Sequence, residues 1–255
     1  MNLLLNIISL FLVLFFSSRV LADDSSFSNS LAQADIAEKR GDLQQALKFY
    51  GAAQQMESTN APDLCVLAHR YCDLTYLTNS AEAQKDLVVR ALACAQQAVR
   101  ADPSNSIAHA SVAVCYAKCC NYADIKTELD YSRRFKQEAE EAIALDPKQD
   151  VAYYLLGRWN YALANVGLLS RAYVKVVYGG LPQASLEDAV SNFQKACALA
   201  PNRILNHSGL ALAYEGLGEK KLEVVELKKC CALKPLGPED VDAQRDAKNK
   251  LAALQ

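Results

Sequence analysis

Apolar and polar positions recur with helical spacing along most of this chain. From about Phe27 onward, alanine, leucine, valine and tyrosine return three and four residues apart, which marks one face of an α-helix. The periodic stretches end at repeated punctuation: Ala101-Asp102-Pro103, Leu145-Asp146-Pro147, Ala200-Pro201 and Lys234-Pro235. Proline stops a helix there because it has no N–H to donate and restricts the residue before it. The first 22 residues break the pattern. Leu3 to Phe16 is an apolar run interrupted only by Asn6 and Ser9, followed by Ser17-Ser18-Arg19-Val20-Leu21-Ala22. Val20 and Ala22 suit the small-residue positions before a cleavage site, so residues 1–22 read as a secretory signal peptide and 23–255 as the mature domain. The run is shorter than the ~20 residues a membrane-spanning helix needs, although its n-region has no Lys or Arg. An uncleaved anchor is the alternative.

The spacing of the punctuation carries the fold. Pro201 and Pro235 are 34 residues apart, the period of the tetratricopeptide (TPR) helix pair. Two antiparallel helices approach closely only where small side chains meet, so such a unit wants Ala or Gly at its positions 8, 20 and 27 and rings near 11 and 24. Ala34, Gly41, Ala46, Tyr50 and Ala53 fit a unit starting near Phe27, and Ala211, Tyr214, Gly218, Cys230 and Pro235 fit one starting near Ile204. Second-helix matches fall at Ala91, Ala95 and Ala98, at Ala142, and at Ala189, Phe193 and Ala196. The middle units are stretched, with 44 residues between Pro103 and Pro147 and 54 between Pro147 and Pro201. Extra residues follow Tyr71, and Asp124 to Asp146 reads as one long second helix. The expectation is an all-α, TPR-like right-handed superhelix of about five antiparallel helix pairs. A polar-faced helix from about Pro238 to Leu254, with Gln244, Arg245, Lys248 and Asn249, caps it.

The longest insertion, Val166 to Ser185, has its own stripe: Leu168, Leu169, Ala172, Tyr173, Val176 and Val177, with Arg171 and Lys175 off it. A helix that short is marginal alone in water. It is expected to lie in the concave face beside Trp159 and Tyr161, with Arg171 and Lys175 toward solvent.

Charge and chemistry narrow the function classes. Without residues 1–22, which hold only Arg19, 26 basic residues face 29 acidic ones, so nucleic-acid binding by a basic surface has no support. A membrane is a partner only if the N-terminal segment stays. No phosphate loop, dinucleotide fingerprint or zinc-protease helix occurs. The three histidines, His69, His109 and His207, fall one to a repeat, which argues against a catalytic cluster. No enzyme activity, cofactor or metal is expected. Cys115 and Cys119 share a helix face, but nothing nearby supplies the remaining ligands. The nine cysteines read mostly as small buried hydrophobes. Pairing such as Cys65 to Cys72 or Cys94 stays open. Asn206-His207-Ser208 makes Asn206 a glycosylation candidate.

Leu156-Gly157-Arg158-Trp159-Asn160-Tyr161, followed by the apolar insertion, Leu181-Pro182, Ser185, Ala189, Phe193, Lys195-Ala196 and Pro201, resembles the regulator of microtubule dynamics family of divergent TPR-like proteins. The stretch with Ile125-Lys126, Phe135-Lys136 and Leu145-Asp146-Pro147-Lys148 is similar too. The resemblance runs from about Leu64 to Leu251. It implies a helical-repeat adaptor and, for some members, association with microtubules or with organelle membranes.

The reading is therefore a non-enzymatic scaffold whose concave face grips a protein or peptide partner. His69, Asp73, Tyr154, Arg158, Trp159, Tyr161, Tyr173 and Glu215 are the expected groove residues. Its place is the secretory lumen or outside the cell (the periplasm if bacterial), or an organelle membrane if the anchor remains. The alternative is an apolar small-molecule or lipid carrier, its pocket closed by the insertion.

Overall fold

A computed structural model describes residues 25–56 and 60–254. The expected signal peptide lies outside the described residues. Twelve α-helices occur among them, and ten form five antiparallel pairs. These are α1 (Ser25–Lys39) with α2 (Leu43–Gln54), α3 (Ala61–Leu74) with α4 (Ala81–Ala101), and α5 (Ser106–Cys119) with α6 (Ile125–Leu145). The fourth pair is α7 (Asp150–Ala164) with α9 (Leu186–Leu199), with α8 (Leu168–Tyr178) inserted between them. The fifth is α10 (Ile204–Leu217) with α11 (Lys220–Ala232), and α12 (Pro238–Ala253) follows.

Helix starts are set locally. Asp42, Asn60, Ser80, Asn105, Asp124 and Ser185 each accept a hydrogen bond from a backbone N–H in the first turn of the helix that follows. Gly41 and Gly218 hold φ of +70° and +75° in the tight turns of the first and last pairs, a conformation that disfavours a Cβ.

The alanine ladder forms the helix junctions. Ala34, Ala46, Ala53, Ala91, Ala95, Ala98, Ala142, Ala189 and Ala196 have no exposed surface. The densest junction surrounds Phe193 of α9. A Cβ on Gly157 of α7 would sit 2.7 Å from its ring, and one on Gly209 of α10 would sit 2.4 Å away. The ring is clasped between two bare backbones, with Tyr154 at 5.6 Å between ring centroids. This explains Gly157 in the sequence block Leu156 to Tyr161.

The stretched second and third pairs share one solution. Each first helix ends in a 3-10 turn, Thr75–Leu77 or Cys120–Tyr122, and each second helix runs 21 residues. Gln84 on the long α4 ties both turns: its Nε2 donates to the Thr75 and Thr78 carbonyls, and its Oε1 accepts from Tyr122 Oη.

The insertion departs from expectation. α8 does not bury its apolar stripe in a groove. Leu168, Leu169 and Val176 are 86%, 89% and 85% exposed, and Val174 is the residue it buries. The cause is Arg171, expected in solvent. Its guanidinium donates to the carbonyls of Leu163 and Ala164 at the end of α7 and of Val166 just beyond it. A charge-assisted cap of that kind fixes the rotation of α8, and the stripe points away from the body.

α12 packs Ala243 and Ala247 against the fifth pair, and Gln244 caps α11 by donating to the carbonyls of Cys230, Cys231 and Leu233. Arg245, Lys248 and Asn249 face outward, as a solubilising cap requires. No helix among the described residues is long and apolar enough to cross a membrane.

Candidate binding surface

The first helices α3, α5, α7 and α10 touch in succession and build one wall. Charged side chains from several repeats meet on it. Lys118, near the end of the Ala/Val/Cys-rich α5, is 6% exposed and lies 3.5 Å from Glu239 Oε1 at the start of α12. Tyr76 Oη, from the 3-10 turn after α3, donates to the same carboxylate at 3.1 Å. Asp73 is close enough to both that its charge bears on Glu239 and Lys118 bears on it. Burial lifts the Asp73 and Glu239 carboxyls to about 7 each, against the pull of Lys118. His69 Nε2 lies 3.3 Å from Ser111 Oγ, and burial followed by Lys118, Arg70 and Arg203 pushes its pKa down to about 4. Arg203 pairs with Asp150 at 2.9 Å, and the fields of Arg158, Glu239, Asp240 and Arg203 converge on buried Tyr154.

Four expected groove residues, His69, Asp73, Tyr154 and Arg158, are therefore brought together. Tyr161 lies half-buried at the far edge of this wall, where Glu215 binds Lys250 of α12. Two residues are elsewhere. Trp159 faces α6, not the wall: its Nε1 donates to Ser132 O and Oγ, both at 3.1 Å, and Lys136 stacks over its ring. One residue on from Arg158, it is rotated about 100° around the helix, which sends it against α6, the second helix of the preceding pair. Tyr173 stands on α8 beside Tyr178, outside the wall.

Asn206 is also corrected. It is completely buried, and its Nδ2, the atom a glycan would occupy, donates to the carbonyls of Ala196 and Ala200 and to Asp150. The sequon is a cap for the end of α9. The cysteines are all free thiols, most of them buried, with Cys115 hydrogen-bonded to Cys72.

Sequence reasoning missed Lys118, Arg203, Tyr76 and Glu239. A lysine inside the Ala/Val/Cys-rich run from Ala108 to Cys120 was the available signal. A nearby hollow of about 560 Å³ between α4, α5 and α6 is open and edged by Gln96, Asp124, Lys126, Asp130 and Arg134. α8 contributes nothing to it.

Known proteins agree with this architecture. A thermophilic TPR protein of Thermus thermophilus superposes with a TM-score of 0.61 at 17% identity, covering 89% of this chain and 99% of that one. MamA from Desulfovibrio magneticus does so with a TM-score of 0.50 at 16% identity, over 88% and 98%. These show the fold. Mouse regulator of microtubule dynamics protein 1 is 30% identical over 226 residues, 88% of this chain and 73% of its own length. Regulator of microtubule dynamics protein 3 of Xenopus laevis is 28% identical over 192 residues, 73% of this chain and 41% of its own. Residues 30–255 match the sequence profile described as regulator of microtubule dynamics protein 1-3, and the chain belongs to that family.

Proposed function

We propose that the chain is a non-enzymatic adaptor that binds a protein segment on the wall formed by α3, α5, α7 and α10. One observation carries this: charged side chains from separate repeats converge there, and the chain's own Glu239 is already lodged among them. The wall takes that carboxylate between Lys118 and Tyr76, so the partner presents acidic side chains and competes with the first turn of α12. Lys118 must keep a counter-charge, because a buried cation without one costs several kcal/mol, so an incoming acid exchanges with Glu239.

The relatives are named for regulating microtubule dynamics, and tubulin's exposed tails are acidic, so a glutamate-rich peptide is the first ligand to try. In fluorescence anisotropy, wild type binds it weakly and Glu239→Gln binds it more tightly, because Lys118 is released. A glutamine-rich control peptide binds neither. Equal binding of both peptides, or no binding by either protein, overturns the proposal.

Export is a separate proposal, resting on Val20-Leu21-Ala22 after the apolar run. Mass spectrometry of the cellular protein should then find Asp23 first. A chain beginning at Asp23 would not meet cytosolic tubulin and would use the same wall for a luminal acidic partner. Retention of Met1 on membranes would overturn export and favour an organelle-surface adaptor.

A further inference from the structure

Two histidines do the same work in two repeats. His109, six residues after Pro103, has Nε2 3.0 Å from the Pro103 carbonyl and Nδ1 2.7 Å from Glu138 on α6. His207, six residues after Pro201, has Nε2 2.8 Å from the Pro201 carbonyl and Nδ1 2.6 Å from Glu226 on α11. Each imidazole clips an inter-repeat turn to the second helix of its own pair. In both places the ring nitrogens meet one backbone carbonyl and one carboxylate.

The two sites differ in the side chain that faces the imidazole from the preceding second helix, and in Lys229, which pairs with Glu226 where Glu141 follows Glu138. Four residues before each proline, the first has Val99 and the second has Cys197. Cys197 Sγ lies 3.6 Å from His207 Nδ1, and Sγ, Nδ1 and a Glu226 oxygen all fall within 4.8 Å of one another. We infer that Cys197, His207 and Glu226 form a binding site for a zinc-class divalent metal ion, which the sister clip at His109 lacks.

The donor set is one that zinc uses: a thiolate, an imidazole and a carboxylate. With bond lengths of about 2.3 Å to sulfur and 2.0–2.1 Å to nitrogen, a tetrahedral ion separates the two ligands by about 3.5 Å, close to the distance present. Glu226 Oε2 sits nearer to Nδ1 than a shared ion allows and retreats by under about 1 Å on binding. The tautomer is prepared. Nε2 keeps its proton for the Pro201 carbonyl, so Nδ1 is the nitrogen that offers a lone pair once its own proton is released, with an outer hydrogen bond orienting the ring. Binding displaces the proton held between Nδ1 and Glu226 and the thiol proton of Cys197, and both pass to solvent. Glu226 Oε1 stays with Lys229, whose side chain is half exposed. Cys197 is only partly buried, so the fourth position opens to water.

The sister site supplies the test variant. Cys197→Val reproduces the side chain at position 99 and leaves the His207 clip intact, so folding is preserved. Cobalt(II) is titrated into the reduced, full chain. The expected result is one equivalent bound, a near-ultraviolet thiolate-to-cobalt charge-transfer band, and displacement by zinc. Zinc should also raise the melting temperature of wild type. In Cys197→Val the band disappears, affinity falls roughly 10–100-fold or more, and zinc no longer shifts the melt. Cys197→Ser serves as a second variant with the same expectation. No thiolate band in wild type, or an undiminished band in Cys197→Val, overturns the site; the second result would assign the ion to other cysteines.

Discussion

Phe193 and α8 belong to the same stretched helix pair, and both present large apolar side chains, yet they end in opposite places. Phe193 is clasped between Gly157 and Gly209 with no exposed surface. Leu168, Leu169, Val176 and Val177 of α8 lie in the open. Hydrophobicity alone does not decide burial. Phe193 is buried because two neighbouring helices present bare backbone to it. α8 faces outward because an arginine cap, not an apolar contact, sets its orientation. Stability of this pair should then be concentrated in the junction and nearly absent from the insertion.

Phe193→Ala is the severest test. Removing a fully buried ring between two glycines leaves a cavity that close-packed backbone cannot fill, and a loss of about 3–5 kcal/mol is expected from denaturant melts. A loss below about 1 kcal/mol would mean that α7, α9 and α10 close over the gap. Gly209→Ala tests the same junction from the opposite side. The added methyl gains about 1 kcal/mol of helix propensity but meets the ring, and overpacking of about 1–3 kcal/mol should leave a net destabilisation. A melting point above wild type would show that the ring has room to move.

Arg171→Ala sharpens the other half of the comparison. It deletes three contacts to the end of α7, so proteolysis should cut within 166–180 faster while the global melt moves by no more than about 1 kcal/mol. Equal cutting rates would remove the arginine from the account. The smallest effect is expected of Leu169→Asp with Tyr173→Asp, two polar changes on an exposed face. Surface substitutions of this sort shift stability by about 0.5 kcal/mol or less. A large loss would show that the α8 face is covered in solution. Loss of a partner without loss of stability would make that face part of the binding surface.

The helix pairs were legible in the sequence because their signal is local. Small residues at fixed spacing, and prolines closing each unit, report packing constraints that repeat with the chain. The lengthened α6 and the final helix followed from the same signal. What escaped was relational. The stripe on α8 reported a helix but not its rotation, since an amphipathic face looks the same whether it meets protein or solvent. Trp159 beside Arg158 looked like a groove anchor, although adjacent helical residues point to different sides. Asn206 matched a three-residue pattern whose meaning depends on exposure. Lys118 and Glu239 could not be paired from spacing, because only the curvature of the whole stack brings α5 to the start of α12.

That last contact bears on how the molecule comes apart. In a linear array each repeat leans only on its neighbours, so unravelling begins at either tip and travels inward. Here Glu239 of the terminal helix grips Lys118 and Tyr76 from the third and second pairs, and one tip is moored to the middle. The two tips become unequal. Amide hydrogens of α1 and α2 should exchange first, while those in the first turns of α12 are held until the moorings release, and the segment from α3 to α12 should open as one cooperative unit.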